Sequence, residues 1–194
     1  ISFDIYPPEI RGLGKCIARM RITTEQAYSL KHKSDVMVSL DDSHAIPHAG
    51  EVRDCGAVIY EQGSIVKLPE GGHMSAHVGP GQLPYPLPIR ELSEKSTGAN
   101  RSRNIVVLGF IAGLFNLPAE GFRKAIGKKF RNKAAAAEAS EAAFKAGLDY
   151  AARTFKLDDV VFGPPVSTVV AGATVEMING NAAIVRGALD AGID

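Results

Sequence analysis

Apolar residues in this chain come first as short unbroken runs and later at helical spacing. Residues 36–40 (VMVSL) and 56–60 (GAVIY) have the length and composition of strands buried in a parallel sheet. Between them Asp41, Asp42 and Ser43 offer N-cap chemistry for a predicted helix over 45–54, so the three pieces read as a strand, helix, strand crossover. Residues 1–5 read as a strand that Pro7 and Pro8 end, because proline has no N–H for a ladder. Residues 15–22 read as another, with Cys16, Ala18, Met20 and Ile22 sharing one side. Residues 61–88 are rich in glycine and proline and lack a regular apolar period, which predicts a long irregular segment of the kind that carries function.

Past residue 88 the period becomes helical. Residues 89–94 predict a short helix and 96–103 a polar turn. Residues 104–115 are apolar on nearly every side, which predicts a buried helix whose Gly109 and Gly113 admit a close neighbour. Pro118 opens a helix over 119–130. Over 134–155 Ala137, Phe144, Leu148, Ala151 and Phe155 form one stripe of a long alanine-rich amphipathic helix. Phe162, Gly163, Pro164 and Pro165 break the pattern, residues 167–171 suggest a strand, and 177–193 restart as turn plus helix, with Asn179 or Asn181 as cap and Gly192 as stop.

Composition narrows the function. With 194 residues, the chain is long enough for one domain plus something extra. Its 22 basic and 21 acidic side chains nearly cancel, which argues against a nucleic-acid binder that relies on bulk phosphate attraction. Cys16 and Cys55 stand singly, without metal or disulfide spacing, so a reducing cytoplasmic location is the default. No apolar run approaches the ~20 residues of a membrane span, and no signal pattern is evident. The chain opens on Ile1 rather than methionine, so the natural protein is expected to begin upstream.

Two stretches could hold an anion. In "YPPEIRGLGKC", residues 6–16, Gly12 and Gly14 permit positive φ and close backbone approach while Arg11 and Lys15 bracket them. The same residues could form a tight turn with solvated bases. In "ANRSRN", residues 99–104, Arg101, Arg103 and Asn104 stand near the start of the predicted buried helix, where free N–H groups favour anions; a plain cap with solvated arginines fits equally. His44 with His48 and His73 with His77 have the spacing of helical metal ligands, but Pro47 interrupts the first pair and glycines flank the second. Asp41 and Asp42 could be catalytic carboxylates, though capping accounts for them more simply. No nucleophile elbow, P-loop or complete GxGxxG is present. By pattern alone this is an α/β domain with two candidate anion-binding turns.

The order of the pieces resembles a known family. "YPPEIRGLGKCIARMRI", "RNIVVLGFIAGLFNLPAEGFRKAIGKKF" and "NKAAAAEASEAAFKAGLDYA" are similar to successive parts of the gamma module of 2-oxoacid:ferredoxin oxidoreductases. "INGNAAIVRGALDAGI" resembles the opening of the alpha module, and gamma followed by alpha in one chain is typical of the 2-oxoglutarate type or its broad-specificity relatives. The resemblance implies a Rossmann-like wound, largely parallel sheet with flanking helices over 1–162, then a linker and the start of a second α/β module over 163–194. It implies an oxidative decarboxylation using thiamine diphosphate with Mg2+, an iron-sulfur cluster, ferredoxin as electron acceptor and coenzyme A as acyl acceptor. A beta subunit is the expected partner in a hetero-oligomer, the catalytic residues and cluster ligands are expected outside this chain, and Arg11, Gly12, Lys15, Arg101 and Asn104 are expected to contact coenzyme A. Leu13 stands where the family has the second glycine of an RGG, with Gly14 next to it. The alternatives are a non-catalytic nucleotide-binding module and a purely structural subunit.

Overall fold

The computed structural model describes residues 2–5, 17–22, 32–63, 72–155 and 180–192. Strands β1 (Ser2–Ile5) and β2 (Ile17–Met20) form an antiparallel ribbon, with Ser2 opposite Met20 and Ile5 opposite Ile17. Strands β3 (Ser34–Val38), β4 (Val52–Glu61) and β5 (Leu83–Leu87) form a separate sheet in that order, parallel throughout. Flanked by helices, this sheet makes the chain an α/β protein, as expected.

The β3 to β4 crossover is shorter in helix than predicted. Helix α1 (Asp42–Ala45) gives way to a 3-10 turn (Ile46–Glu51), and β4 begins at Val52, so 52–54 belong to the strand and not to a helix over 45–54. Pro47, which lacks an N–H, fits only the first turn of the 3-10 segment, and Val52 is drawn into the core at 1% exposure. A second correction concerns β5, which lies inside the segment expected to be irregular. Pro84 and Pro86 are two residues apart and so leave their missing N–H groups on one side of the strand, as suits the side away from β4, which among the described residues is the one strand paired with β5. Strand β2 keeps the expected alternation over a shorter span. Ala18, Met20 and Ile22 share a side, as expected, and that side is exposed, with Met20 at 71% and Ile22 at 81%, while Ile17 and Arg19 are half-buried. Arg19 is held inward by Glu51, to which its guanidinium donates.

The central strand is buried from Gly56 to Glu61 and separates two cores. Ala57 and Ile59 face one side, where they meet Leu87, Ile89, Val107, Phe110 and Ala151. Val58 and Tyr60 face the other, against Ala45, Ala49 and Met74. The first core is covered by α2 (Ile89–Thr97), α3 (Arg103–Leu114) and α5 (Ala134–Thr154), and α4 (Ala119–Lys129) joins α3 and α5 through Ile126 and Phe122, whose ring stacks on Phe144 at 5.8 Å. Glycine sets the α3–α5 approach: a Cβ on Gly109 would overlap the Phe144 carbonyl, one on Gly147 the Val106 carbonyl, and one on Gly113 would come within 2.8 Å of the Ala151 Cβ. The backbones therefore touch, as Gly109 and Gly113 predicted; Gly147 is the reciprocal notch.

Helix α6 (Gly180–Asp190) belongs to a second compact unit. It ends as predicted, with Gly192 in the left-handed region at φ +73°. The expected boundary at 162/163 and the strand over 167–171 lie outside the described residues. Among the described residues no helix is long and apolar enough to cross a membrane.

Candidate functional site

Parallel strands all end on one rim, and in open α/β sheets ligands bind in crevices beyond those carboxyl ends. At the end of β3, Ser39 donates its N–H to the Ile59 carbonyl at 2.8 Å and its hydroxyl to Asp42 Oδ1 at 2.6 Å. Asp42 is 2% exposed, and its Oδ2 accepts the Met74 N–H at 2.9 Å. His73 sits beside it, Nε2 3.8 Å from Asp42 Oδ2 and Nδ1 2.8 Å from Ser75 Oγ, with its ring edge-on to Tyr60 at 5.7 Å. This polar knot ties the end of β3 and α1 to the 3-10 turn Met74–His77. Asp41 caps α1: hydrogen bonding from the Ser43 hydroxyl holds its carboxyl below the ordinary range, against the opposing effect of partial burial.

At the end of β4, Glu61 is 8% exposed and its two carboxylate oxygens accept the N–H groups of Gly63 (3.1 Å) and Arg90 (3.0 Å). The side chain thereby caps α2, which Pro88 cannot cap itself. A cleft of about 370 Å3 opens here, lined by Glu61, Gly63, Pro88, Arg90, Glu91, Glu94 and Lys95. Its charges are mostly matched, Arg90 near Glu61 at 4.0 Å and Lys95 against Glu91, which leaves little to draw an anion. The one local sign of this cleft in the sequence is Glu61, an acid directly after a buried apolar run.

Of the five predicted contact residues, Arg11, Gly12 and Lys15 lie outside the described residues. Arg101 and Asn104 are both exposed and share one place: Arg101 is in the 3-10 turn Asn100–Ser102, and Asn104 is the second residue of α3. They follow the carboxyl end of α2 in sequence and are not among the residues that line the cleft. The head of α3 is electrostatically incomplete. Its N-cap Ser102 makes no side-chain cap bond and no acid lies in its first turn, although Arg101 and Arg103 flank the cap. Asn104 Oδ1 accepts the Ile105 N–H at 3.0 Å, which leaves its amide nitrogen as a donor. Bases at the positive end of a helix cost roughly 0.3–1 kcal/mol each, a cost that a bound anion reverses.

His48 and His73 are engaged by neighbouring side chains. His48 Nδ1 lies 2.7 Å from Glu51 Oε1, whose carboxyl is held below its usual range by that hydrogen bond first and then by Arg19, while His73 turns to Asp42 and Ser75. Among the described residues no three metal-ligating side chains gather. Burial pushes the phenols of Tyr60 and Tyr85 up.

A family model described as pyruvate ferredoxin/flavodoxin oxidoreductase matches residues 1–150. No curated protein matches the sequence significantly. Among solved structures, the 2-oxoglutarate:ferredoxin oxidoreductase of Magnetococcus marinus, with 2-oxoglutarate, coenzyme A and succinyl-CoA bound, is similar over 84% of this chain at 23% identity and a TM-score of 0.69. The present chain spans 27% of that protein's chain. The gamma subunit of a keto/oxoacid ferredoxin oxidoreductase from Geobacter sulfurreducens PCA is similar over 78% of this chain and 79% of its own, at 19% identity and a TM-score of 0.55. At these identities the structural likeness carries the fold.

Proposed function

Because the chain belongs to the pyruvate ferredoxin/flavodoxin oxidoreductase family, we propose that it is the gamma module, followed from residue 163 by the start of an alpha module, of a 2-oxoacid:ferredoxin oxidoreductase acting on 2-oxoglutarate. The assembled enzyme, with a beta subunit, oxidatively decarboxylates the oxo acid, sends electrons to ferredoxin and delivers the acyl group to coenzyme A. Thiamine diphosphate, Mg2+ and an iron-sulfur cluster supply the bond-breaking and electron-transfer chemistry and are not held by this chain alone.

The module's own part is to hold coenzyme A by its phosphates. The observation that carries this reading is the head of α3, an uncapped helix start with no acid in its first turn and with Arg101, Arg103 and Asn104 around it. Those residues fit a phosphate: Arg101 offers a planar fork of donors and Asn104 its amide nitrogen, at a helix end whose dipole favours an anion. Arg11, Gly12 and Lys15 supply a second set of donors in this reading, by the permissive backbone and bracketing charge of their sequence. The liganded Magnetococcus marinus structure, whose fold this chain shares, adds support.

Calorimetric titration of coenzyme A into the complex with the beta subunit tests the site. The double variant Arg11→Ala/Arg101→Ala should bind at least ~10-fold more weakly, because a hydrogen bond to a charged group contributes about 1.5–3 kcal/mol. Unchanged affinity removes this site while leaving family membership intact. Tight adenine-nucleotide binding by the chain alone, with no thiamine-bearing partner, would instead identify a non-catalytic nucleotide-binding module.

A further inference from the structure

Residues 123–133 (RKAIGKKFRNK) carry six bases and no acid, in a chain whose totals nearly cancel. Two of the six are paired, Arg123 with Glu141 at 2.8 Å and Lys124 with Glu120 at 4.0 Å. Lys128, Lys129, Arg131 and Lys133 are exposed, with no carboxylate partner among the described residues. Helix energetics account for only half of this group. Lys128 and Lys129 complement the negative end of α4, but Arg131 and Lys133 immediately precede α5, with Lys133 as its N-cap. That end is positive, makes no side-chain cap bond and has no acid in its first turn, so both bases oppose it. The turn itself is anchored: Ile126 is 6% exposed and Phe130 packs on the same core, which fixes the backbone that presents the four charges.

We propose that the α4–α5 turn is a docking surface for a carboxylate-rich face of a protein partner. Three features favour a protein over other polyanions. Phe130 is turned into the core, so no ring beside the bases is fully exposed to stack on a nucleobase. None of the large exposed apolar side chains lies between 119 and 137, which leaves nothing to enter a lipid surface. The basic group is also compact, with exposed Glu120 and Glu138 on the same two helices, and so matches a small acidic patch better than a long rod of phosphates. The proposal does not depend on the coenzyme A reading.

Fluorescence anisotropy of labelled poly-L-glutamate with the full chain tests the proposal, at ~0.01 M and ~0.15 M salt, between which the screening length falls from about 30 Å to about 8 Å. The wild type should bind at low salt and lose most of that affinity at the higher salt. Arg131→Glu/Lys133→Glu should bind at least ~10-fold more weakly, whereas Lys145→Glu/Arg153→Glu, with the same net charge, should stay within about 2-fold. The first pair places acids at the start of α5, where they favour the helix, so lost binding would not be lost folding. Equal losses in both variants, or no binding at low salt, would overturn the docking surface. So would a DNA duplex or phosphatidylserine vesicles binding more tightly than the peptide and losing that binding in Arg131→Glu/Lys133→Glu, since the surface would then belong to a nucleic acid or a membrane.

Discussion

Helices α3 and α5 are complete along their flanks and incomplete at their heads. Along the flanks, Gly109, Gly113 and Gly147 bring backbone against backbone, and Phe110, Phe144 and Ala151 are buried. At the heads, neither helix has a side-chain cap or an acid in its first turn, and both are preceded by exposed bases, Arg101 before α3 and Arg131 and Lys133 before α5. Packing inside the fold has satisfied the flanks, whereas the heads retain positive potential that nothing within the described residues neutralises. The flanks accordingly govern stability and the heads are where a ligand or partner gains most.

Breaking the flank should have the largest effect. Gly147→Ala places a methyl on the Val106 carbonyl, and neither backbone can yield without separating the helices. A destabilisation of about 3 kcal/mol is expected from such overpacking, read as a loss of roughly 6–12 °C in thermal midpoint for a chain of this size. Gly121→Ala in α4, where nothing lies within 4 Å, should instead stabilise by about 0.5–1 kcal/mol. Equal midpoints for the two variants would show that the close approach is not what holds the layer.

Next in size is the polar knot at the strand rim. Asp42→Ala leaves the Ser39 hydroxyl and the Met74 N–H without their acceptor in a buried setting, a loss of about 2 kcal/mol in denaturant unfolding. A loss below ~0.5 kcal/mol would mean that other acceptors replace the carboxylate.

The flank was legible in the sequence and much of the rim was not, for physical reasons. Apolar residues on nearly all sides of 104–115 and the stripe through Phe144, Leu148 and Ala151 each admit one arrangement, burial against a neighbour, and the two glycines of α3 mark where that neighbour comes close. Gly147 gave no comparable signal, because in an alanine-rich helix a glycine differs little from its surroundings in pattern. Strand β5 was hidden because Pro84 and Pro86 argue against a strand unless its pairing with β4 is already known. The side of β2 that faces solvent could not be read from alternation, since its apolar residues lie outward and Arg19 turns inward to Glu51. The knot of Asp42, His73 and Met74 joins residues 32 apart in sequence, a distance over which no local pattern acts. Arg101 and Asn104 were read correctly as neighbours at a helix head, and their ligand remains a proposal.

The smallest effect should come from the ion pairs around Glu51. Its carboxyl is depressed below the ordinary 4.5 by the His48 hydrogen bond and by Arg19. The stabilisation is therefore present above pH 4.5 and lost as pH falls through the lower folded-state value. Wild type should exceed Glu51→Gln in stability near neutrality by no more than about 1 kcal/mol, because the pair is part-exposed, and the two curves should converge in acid. A gap that widens as pH falls would reverse the sign of this assignment.

The most direct measurement of the central claim, that the head of α3 is where this module meets an anionic ligand, is amide hydrogen exchange in the complex with the beta subunit, with and without coenzyme A. Coenzyme A should slow exchange at residues 101–105 and leave the buried flank of α3 near Gly109 unchanged. Protection confined to the cleft from Glu61 to Lys95, or found nowhere in this chain, would contradict it.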